Sequence, residues 1–144
     1  MGEFKYKLVS TEEELKGAFG VRRQVFIGEQ GIPEETDFDG RDGQALHVVV
    51  IEAHEVIGTA RLQFLSDSQA KLERMAILKP FRRQGIGTGM ISYLEKELRK
   101  RQVKEVILHA QYTAVPFYQA CGFEKEGSPF WEAGMKHVKM KKQL

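Results

Sequence analysis

With 144 residues, 42% of them hydrophobic and 29% charged, the chain has the size of one globular domain, long enough for a substantial core and too short for a second. Its single cysteine, Cys121, excludes an internal disulfide, and four scattered histidines show no metal-ligand spacing. The N-terminus lacks an apolar signal region, and no apolar run approaches the ~20 residues that cross a bilayer, so a cytoplasmic protein without metal or membrane partner is expected. The net charge of +2 hides an asymmetry: residues 1–72 hold 8 Lys/Arg against 13 Asp/Glu, a net −5, and residues 73–144 hold 14 against 7, a net +7. The basic residues are spread over a helix, a hairpin and a tail without interleaved exposed aromatics, which fits a small polyanion better than nucleic acid.

Phe4–Val9 alternates apolar and polar as a half-buried strand does, with Phe4, Tyr6 and Leu8 on one side. Ser10 and Thr11 precede Glu13 and Glu14 by the three residues of a capping box, so a helix starts there. Leu15, Phe19, Arg22 and Phe26 mark its turns, and its end is expected near Gly28. Glu29–Gly43 reads as a loop with six acids against Arg41 alone, broken by Pro33 and three glycines. Ala45–Ala53 and Val56–Leu65 read as a hairpin turning at His54-Glu55, with His47 as an ordinary hydrogen-bonded histidine of the sheet. Asp67-Ser68 then leads into a third antiparallel strand.

The stretch from Ala70 to Gln102 runs strand, Arg/Gly-rich turn and long helix without a spacer. Leu72, Met75, Ala76, Ile77 and Leu78 form the strand, which Pro80 ends. Ile86, Met90, Leu94 and Leu98 recur every four residues and give the helix one apolar face. Its first turn, preceded by Gly85 and containing Gly87, offers unpaired N–H groups to an anion, with Arg82 and Arg83 beside them. The plainer reading is a Gly-rich turn with a solvated basic rim. A P-loop would need Gly-Lys-Ser/Thr, and a dinucleotide fingerprint would need glycine where Met90 stands. Glu105–Gln111 follows as a buried strand parallel to the one from Ala70. A short helix begins at Ala114 with Thr113 as cap and Pro116 in its first turn, and Gly122 stops it. Phe123–Glu126 and Lys136–Lys142 are the last strands, separated by a loop carrying Phe130 and Trp131, which either line a pocket or close the core.

The pattern Arg82-x-x-Gly85-x-Gly87 after a strand resembles the coenzyme A pyrophosphate loop of the GNAT N-acetyltransferases. A second match lies in the segment AQYTAVPFYQACGF, where Ala114, Tyr118, Gly122 and Phe123 stand at the spacing of that family's short helix. Val25-Phe26-Ile27-Gly28-Glu29-Gln30 and His137-Val138-Lys139-Met140 resemble the small single-domain bacterial members. The resemblance implies an α/β (α+β) fold with a mixed, twisted sheet of six to seven strands flanked by helices and a cofactor cleft between strands four and five. It further implies acetyl-CoA as co-substrate, held by Met75, Ala76, Ile77, Arg82, Arg83, Gln84, Gly85, Ile86, Gly87 and Thr88, with Tyr118 protonating the departing sulfur. Gln111 stands where the family often has Asn, and Arg82-Arg83 replaces its common Arg-Gly pair, so the pantetheine role of that Asn is not carried over.

The chemistry expected is direct attack of a primary amine on the thioester in a ternary complex. Such an amine, with a pKa near ~10.4, must first lose a proton. Glu73 on the fourth strand is the candidate base; its alternative is an ion pair with Arg74 or Arg61. Backbone N–H groups at Met75 to Ile77 are expected to hold the oxyanion. The acidic loop points to a cationic small-molecule acceptor through its field. A covalent route through Cys121 lacks a visible base. A non-catalytic acyl-CoA-binding or regulatory module on the same fold is the alternative reading, and a nucleic-acid-binding protein a weaker third. A homodimer is compatible with all of these.

Overall fold

The computed structural model describes residues 3–144. β1 (Lys5–Leu8) leads into α1 (Glu12–Arg22), whose start is the expected capping box: Glu14 N–H donates to Thr11 Oγ1 at 3.1 Å and Thr11 N–H donates to Glu14 Oε1 at 3.2 Å. The hydrogen bond from Lys7 and that from the Ser10 N–H hold the Glu14 carboxyl down at about 2. The helix widens into a π-turn over Arg23–Glu29, a change of pitch that an even helical periodicity to Gly28 does not reveal. Then come α2 (Glu34–Asp37), β2 (Leu46–Glu52), β3 (Glu55–Phe64), β4 (Gln69–Ile77), α3 (Ile86–Lys100), β5 (Glu105–Gln111), α4 (Val115–Ala120), β6 (Glu124–Glu132) and β7 (Met135–Gln143).

The strands form one seven-stranded mixed sheet, ordered β1-β2-β3-β4-β5-β7-β6, in which only β4 and β5 run parallel, as a strand–helix–strand crossover requires. α3 lays Ile86, Met90, Ile91, Leu94 and Leu98 on one sheet face against Leu62, Leu72, Leu108 and Met140. Burying side chains of this size contributes about 1.5–3 kcal/mol each. α1 and its π-turn cover the other face with Val21, Val25 and Phe26, but only over β2 to β4. The second face of β5, β7 and β6 is thus left uncovered by α1.

Three local expectations are corrected. The β2–β3 turn is Ala53-His54, both at positive φ (49° and 67°), the conformation that matches strand twist in a two-residue hairpin. Thr113 does not cap α4; a 3₁₀ turn over Tyr112–Ala114 feeds the helix, and Ala114 at its start has no side-chain cap. Phe130 and Trp131 lie not in a loop but in β6, which pairs with β7 again after a bulge between Glu126 and Phe130 and turns at Ala133-Gly134. Gly127 and Pro129 make that bulge, and such residues imitate a loop in sequence.

Candidate active site

The site grows from one irregularity in β4. The β3–β4 register shifts between Thr59 and Arg61, where Arg74 adopts φ +54°, and the β4–β5 ladder ends at Leu72↔Leu108. A bulge bends and twists its strand, so beyond that rung the two parallel strands part. The Ile77 carbonyl points away from β3 and accepts from Arg82 Nε at 2.8 Å, whereas the next N–H, that of Leu78, returns to Ile57 on β3. By strand alternation the N–H groups of Ile77 and Met75 face the fork.

Around the fork opens a cleft of about 960 Å³. Met75, Ala76, Ile77, Arg82, Arg83, Gly85, Ile86, Gly87, Thr88, Tyr118 and Glu73 all line it. Gln84 alone among the expected residues does not, since its amide donates back to Pro80 O at 3.3 Å. Gly85 precedes α3 at φ +80°, a conformation that a side chain would strain, and leaves the first N–H groups of α3 open. At Gly87 a Cβ would sit 3.0 Å from Phe117, so glycine there lets the first turn of α3 approach α4. Arg82 departs from expectation. Its guanidinium is bound to both oxygens of Glu29 at 2.9 Å and so ties the loop to the π-turn, while Arg83, at φ +64°, lines the cleft.

α4 carries Tyr118 to the same place. Its hydroxyl lies 3.9 Å from Met75 Sδ, a weak acceptor and its one hydrogen-bond partner among the described residues. Burial, with the neighbouring Cys121 adding to it, pushes the phenol well above its ordinary value, so it stays protonated. Cys121 is half-buried and its thiol is pushed up as well, again chiefly by burial, which leaves little thiolate for a covalent route.

On the face covered by α1, Glu73 stands one residue beyond the last β4–β5 rung. Burial alone would raise its pKa. The amide of Gln63 at 2.5 Å and the charges of Arg61 and Lys71 outweigh that, and the net shift is downward. The same carboxylate pairs with Arg61 at 3.2 Å and lies 3.9 Å from Arg74. The acidic loop is also largely paired. Arg22, 1% exposed, binds Asp37 and Asp42; Arg61, 0% exposed, binds Asp39 and Asp42; Arg74 binds Asp37 and Asp39. The expected field from six carboxylates is thus reduced by three arginines that lie outside the loop in sequence, and Glu29 is committed to Arg82.

Sequence reasoning gave no role to His109 and Glu132, which meet Phe130 and His137 in a cluster on β5, β6 and β7. His109 Nδ1 lies 3.0 Å from Glu132 Oε1, the Phe130 ring meets His109 edge-on at 5.0 Å and stacks on His137 at 6.0 Å, and His109, Glu132 and His137 line the cleft. Gln111 donates to Gln30 Oε1 at 2.8 Å and closes the cleft toward the π-turn. The available signal was the alternation in EVILHAQ, where His109 and Gln111 make one face of a buried strand polar. Trp131, on the opposite side of β6, is 75% exposed and belongs to neither core nor cleft.

A family model described as an acetyltransferase (GNAT) domain matches residues 8–144. The Bacillus subtilis uncharacterized N-acetyltransferase YjcF is 37% identical over 142 residues, spanning 96% of this chain and 99% of its own. A crystallised Lactobacillus plantarum protein, provisionally named an N-acetyltransferase, superposes with a TM-score of 0.92 at 28% identity over 98% of each chain. A GNAT family acetyltransferase from Elizabethkingia anophelis, solved with acetyl-CoA bound, shares the fold at a TM-score of 0.77 and 14% identity, over 98% of each chain.

Proposed function

The chain belongs to the acetyltransferase (GNAT) family, and from that premise we propose that it moves the acetyl group of acetyl-CoA to a small-molecule primary amine by direct attack within a ternary complex. The observation that carries this is the meeting of two elements at the fork: α3 brings unpaired N–H groups, and α4 brings a protonated phenol beside Met75. These residues fit the co-substrate. The Gly85–Thr88 turn and Arg83 suit a diphosphate, and the N–H groups of Met75 and Ile77 suit the thioester carbonyl as it becomes an oxyanion.

Tyr118 gives its proton to the sulfur as the C–S bond breaks. A raised phenol is by itself a poorer acid, but a thiolate in the same dry place is destabilised by the same desolvation, so the transfer stays favourable. Glu73 is the anion at the fork. Its depressed pKa keeps it ionised at neutral pH, where it holds an ammonium, and that favours a cationic acceptor; the same depression makes it a weak proton acceptor. Acetyl-CoA consumption and thiol release over a panel of polyamines, amino sugars, amino acids and aminoglycosides test the reading. Tyr118→Phe should lower kcat by roughly 10²-fold or more with coenzyme A affinity unchanged. Full turnover in Tyr118→Phe removes the role, and a chain that binds coenzyme A and acetylates no amine removes the reaction.

A further inference from the structure

The proton that the amine must lose has a better acceptor than Glu73. His109 is the first residue of β5 beyond the Leu72↔Leu108 rung, so it stands across the fork from Glu73 and on the same sheet face. Its Nδ1 faces Glu132 Oε1 at 3.0 Å. An ionised carboxylate can only accept, so Nδ1 carries the hydrogen and Nε2 keeps a lone pair, with no protein partner among the described residues. The Phe130 edge at 5.0 Å steadies the ring. His137 does not take this part: its ring is buried against Phe130, and its Nε2 is turned to Glu132 Oε2 at 3.8 Å. Glu73, by contrast, has one oxygen held by Gln63 and the other by Arg61, and a proton would have to displace them.

We propose that His109, oriented by Glu132, accepts the amine proton in the acetyl transfer. This rests on the amine-transferase reading above. The ammonium gives one proton to His109 Nε2; the freed nitrogen pair forms the C–N bond; the C–S bond breaks and the sulfur takes the Tyr118 proton. The phenolate regains a proton from the nitrogen's second one through solvent, and the imidazolium releases the first, so one proton leaves per turnover. The charged and titratable groups facing His109 are Glu132 from β6, His137 and Lys139 from β7, and Glu73 and Lys71 from β4, with Lys139 itself paired to Glu126 at 3.1 Å and Lys71 to Glu73 at 3.8 Å.

Two measurements test it on the full chain. Long-range nitrogen–proton NMR of the coenzyme A complex should show His109 as the Nδ1–H tautomer in the wild type, and an Nε2–H tautomer overturns the proposal whether or not an acceptor has been found. With the best amine, His109→Gln should cut kcat/KM at neutral pH by roughly 10²-fold and replace the acid limb of the pH profile by a steady rise with pH, as free amine becomes available without a base. Glu132→Gln should release the Nδ1–H preference of His109 in the same spectra, which a merely structural role of Glu132 would not do. Glu73→Gln should act on amine KM and keep the limb. If His109→Gln retains the wild-type limb while Glu73→Gln loses it, Glu73 is the base and this inference is wrong. If the wild type acetylates no amine, the transferase reading falls and takes this inference with it.

Discussion

Replacing Arg61 by methionine should unfold the acceptor side of the cleft from within. The guanidinium is fully buried and bonds Asp39 at 2.8 and 2.9 Å, Asp42 at 3.0 Å and Glu73 at 3.2 Å. Arg61→Met fills much of the volume but leaves three partly buried carboxylates with one cation fewer. Removing one partner of a buried pair costs about 3–5 kcal/mol, against the 5–15 kcal/mol of a typical domain. Arg22 and Arg74 still hold Asp42 and Asp39, which argues for the lower end. Urea denaturation at pH 7 reads the loss, and its pH dependence reads the cause. The pKa values of Asp39, Asp42 and Glu73 are depressed in the folded chain, for Asp39 chiefly through its hydrogen bond from Arg61, and for the other two because arginine and amide contacts outweigh burial. Each therefore contributes stability that is present above its unfolded pKa of roughly 4 and is lost as pH falls through the lower folded value. The gap between wild type and variant should accordingly narrow on acidification below about pH 4. A loss under about 1 kcal/mol, or a gap that stays constant down to pH 3, refutes the assignment of this network as a charge-compensated core.

Other substitutions probe separate parts. Gly85→Asp should weaken coenzyme A binding by roughly 10- to 100-fold in a calorimetric titration, the worth of about 1.5–3 kcal/mol of charged hydrogen bonding, while Gly85→Asn, which tolerates positive φ without the charge, should bind nearly as wild type. Gly89→Ala would set a Cβ 2.2 Å from the Tyr6 hydroxyl, and since Tyr6 stacks on Tyr93 it cannot swing away freely. The melting temperature should fall even though alanine favours helix by about 1 kcal/mol, and an unchanged value would show that β1 yields. Asp37→Asn should cost stability, by at least ~2 kcal/mol in urea melts, because it strips the buried Arg22 of a charged partner; a specific rise of amine KM at intact stability would restore the steering role of the loop.

What the sequence made legible was local. The capping box at Thr11, the apolar face of α3, and the glycines between β4 and α3 each announce themselves within a few residues, and the parallel pairing of β4 with β5 follows from the helix between them. What it hid depends on partners distant in sequence. Asp37, Asp39 and Asp42 look like a solvent-facing acidic run until Arg22, Arg61 and Arg74 are folded against them. His109 and Glu132 are 23 residues apart on strands that pair only through β7, and the bulge at Gly127–Pro129, which decides that Glu132 falls beside His109, itself reads as a loop in sequence.

The bulge at Arg74 explains why donor and acceptor devices can lie on opposite faces of one sheet. Along a regular strand Glu73 and Met75 would share a face. With one residue in excess, Glu73 sits opposite Arg61 and Ala76 packs against the π-turn of α1, while Met75 and Ile77 pack on the side of α3 and α4. Tyr118 and the α3 turn therefore lie on one face, and Glu73, His109 and Glu132 on the other, with the opening between β4 and β5 joining them. A thioester entering from the α3 side and an amine entering from the α1 side would meet at the fork with their reacting atoms exposed to each other. No enzyme nucleophile has to carry the acetyl group across, and Cys121, on the α4 side with a raised pKa, is not placed to do so. That separation favours the proposed direct attack over a relay, and in that proposal the two proton transfers fall on different faces: the amine's proton would leave toward His109, and the sulfur's would arrive from Tyr118.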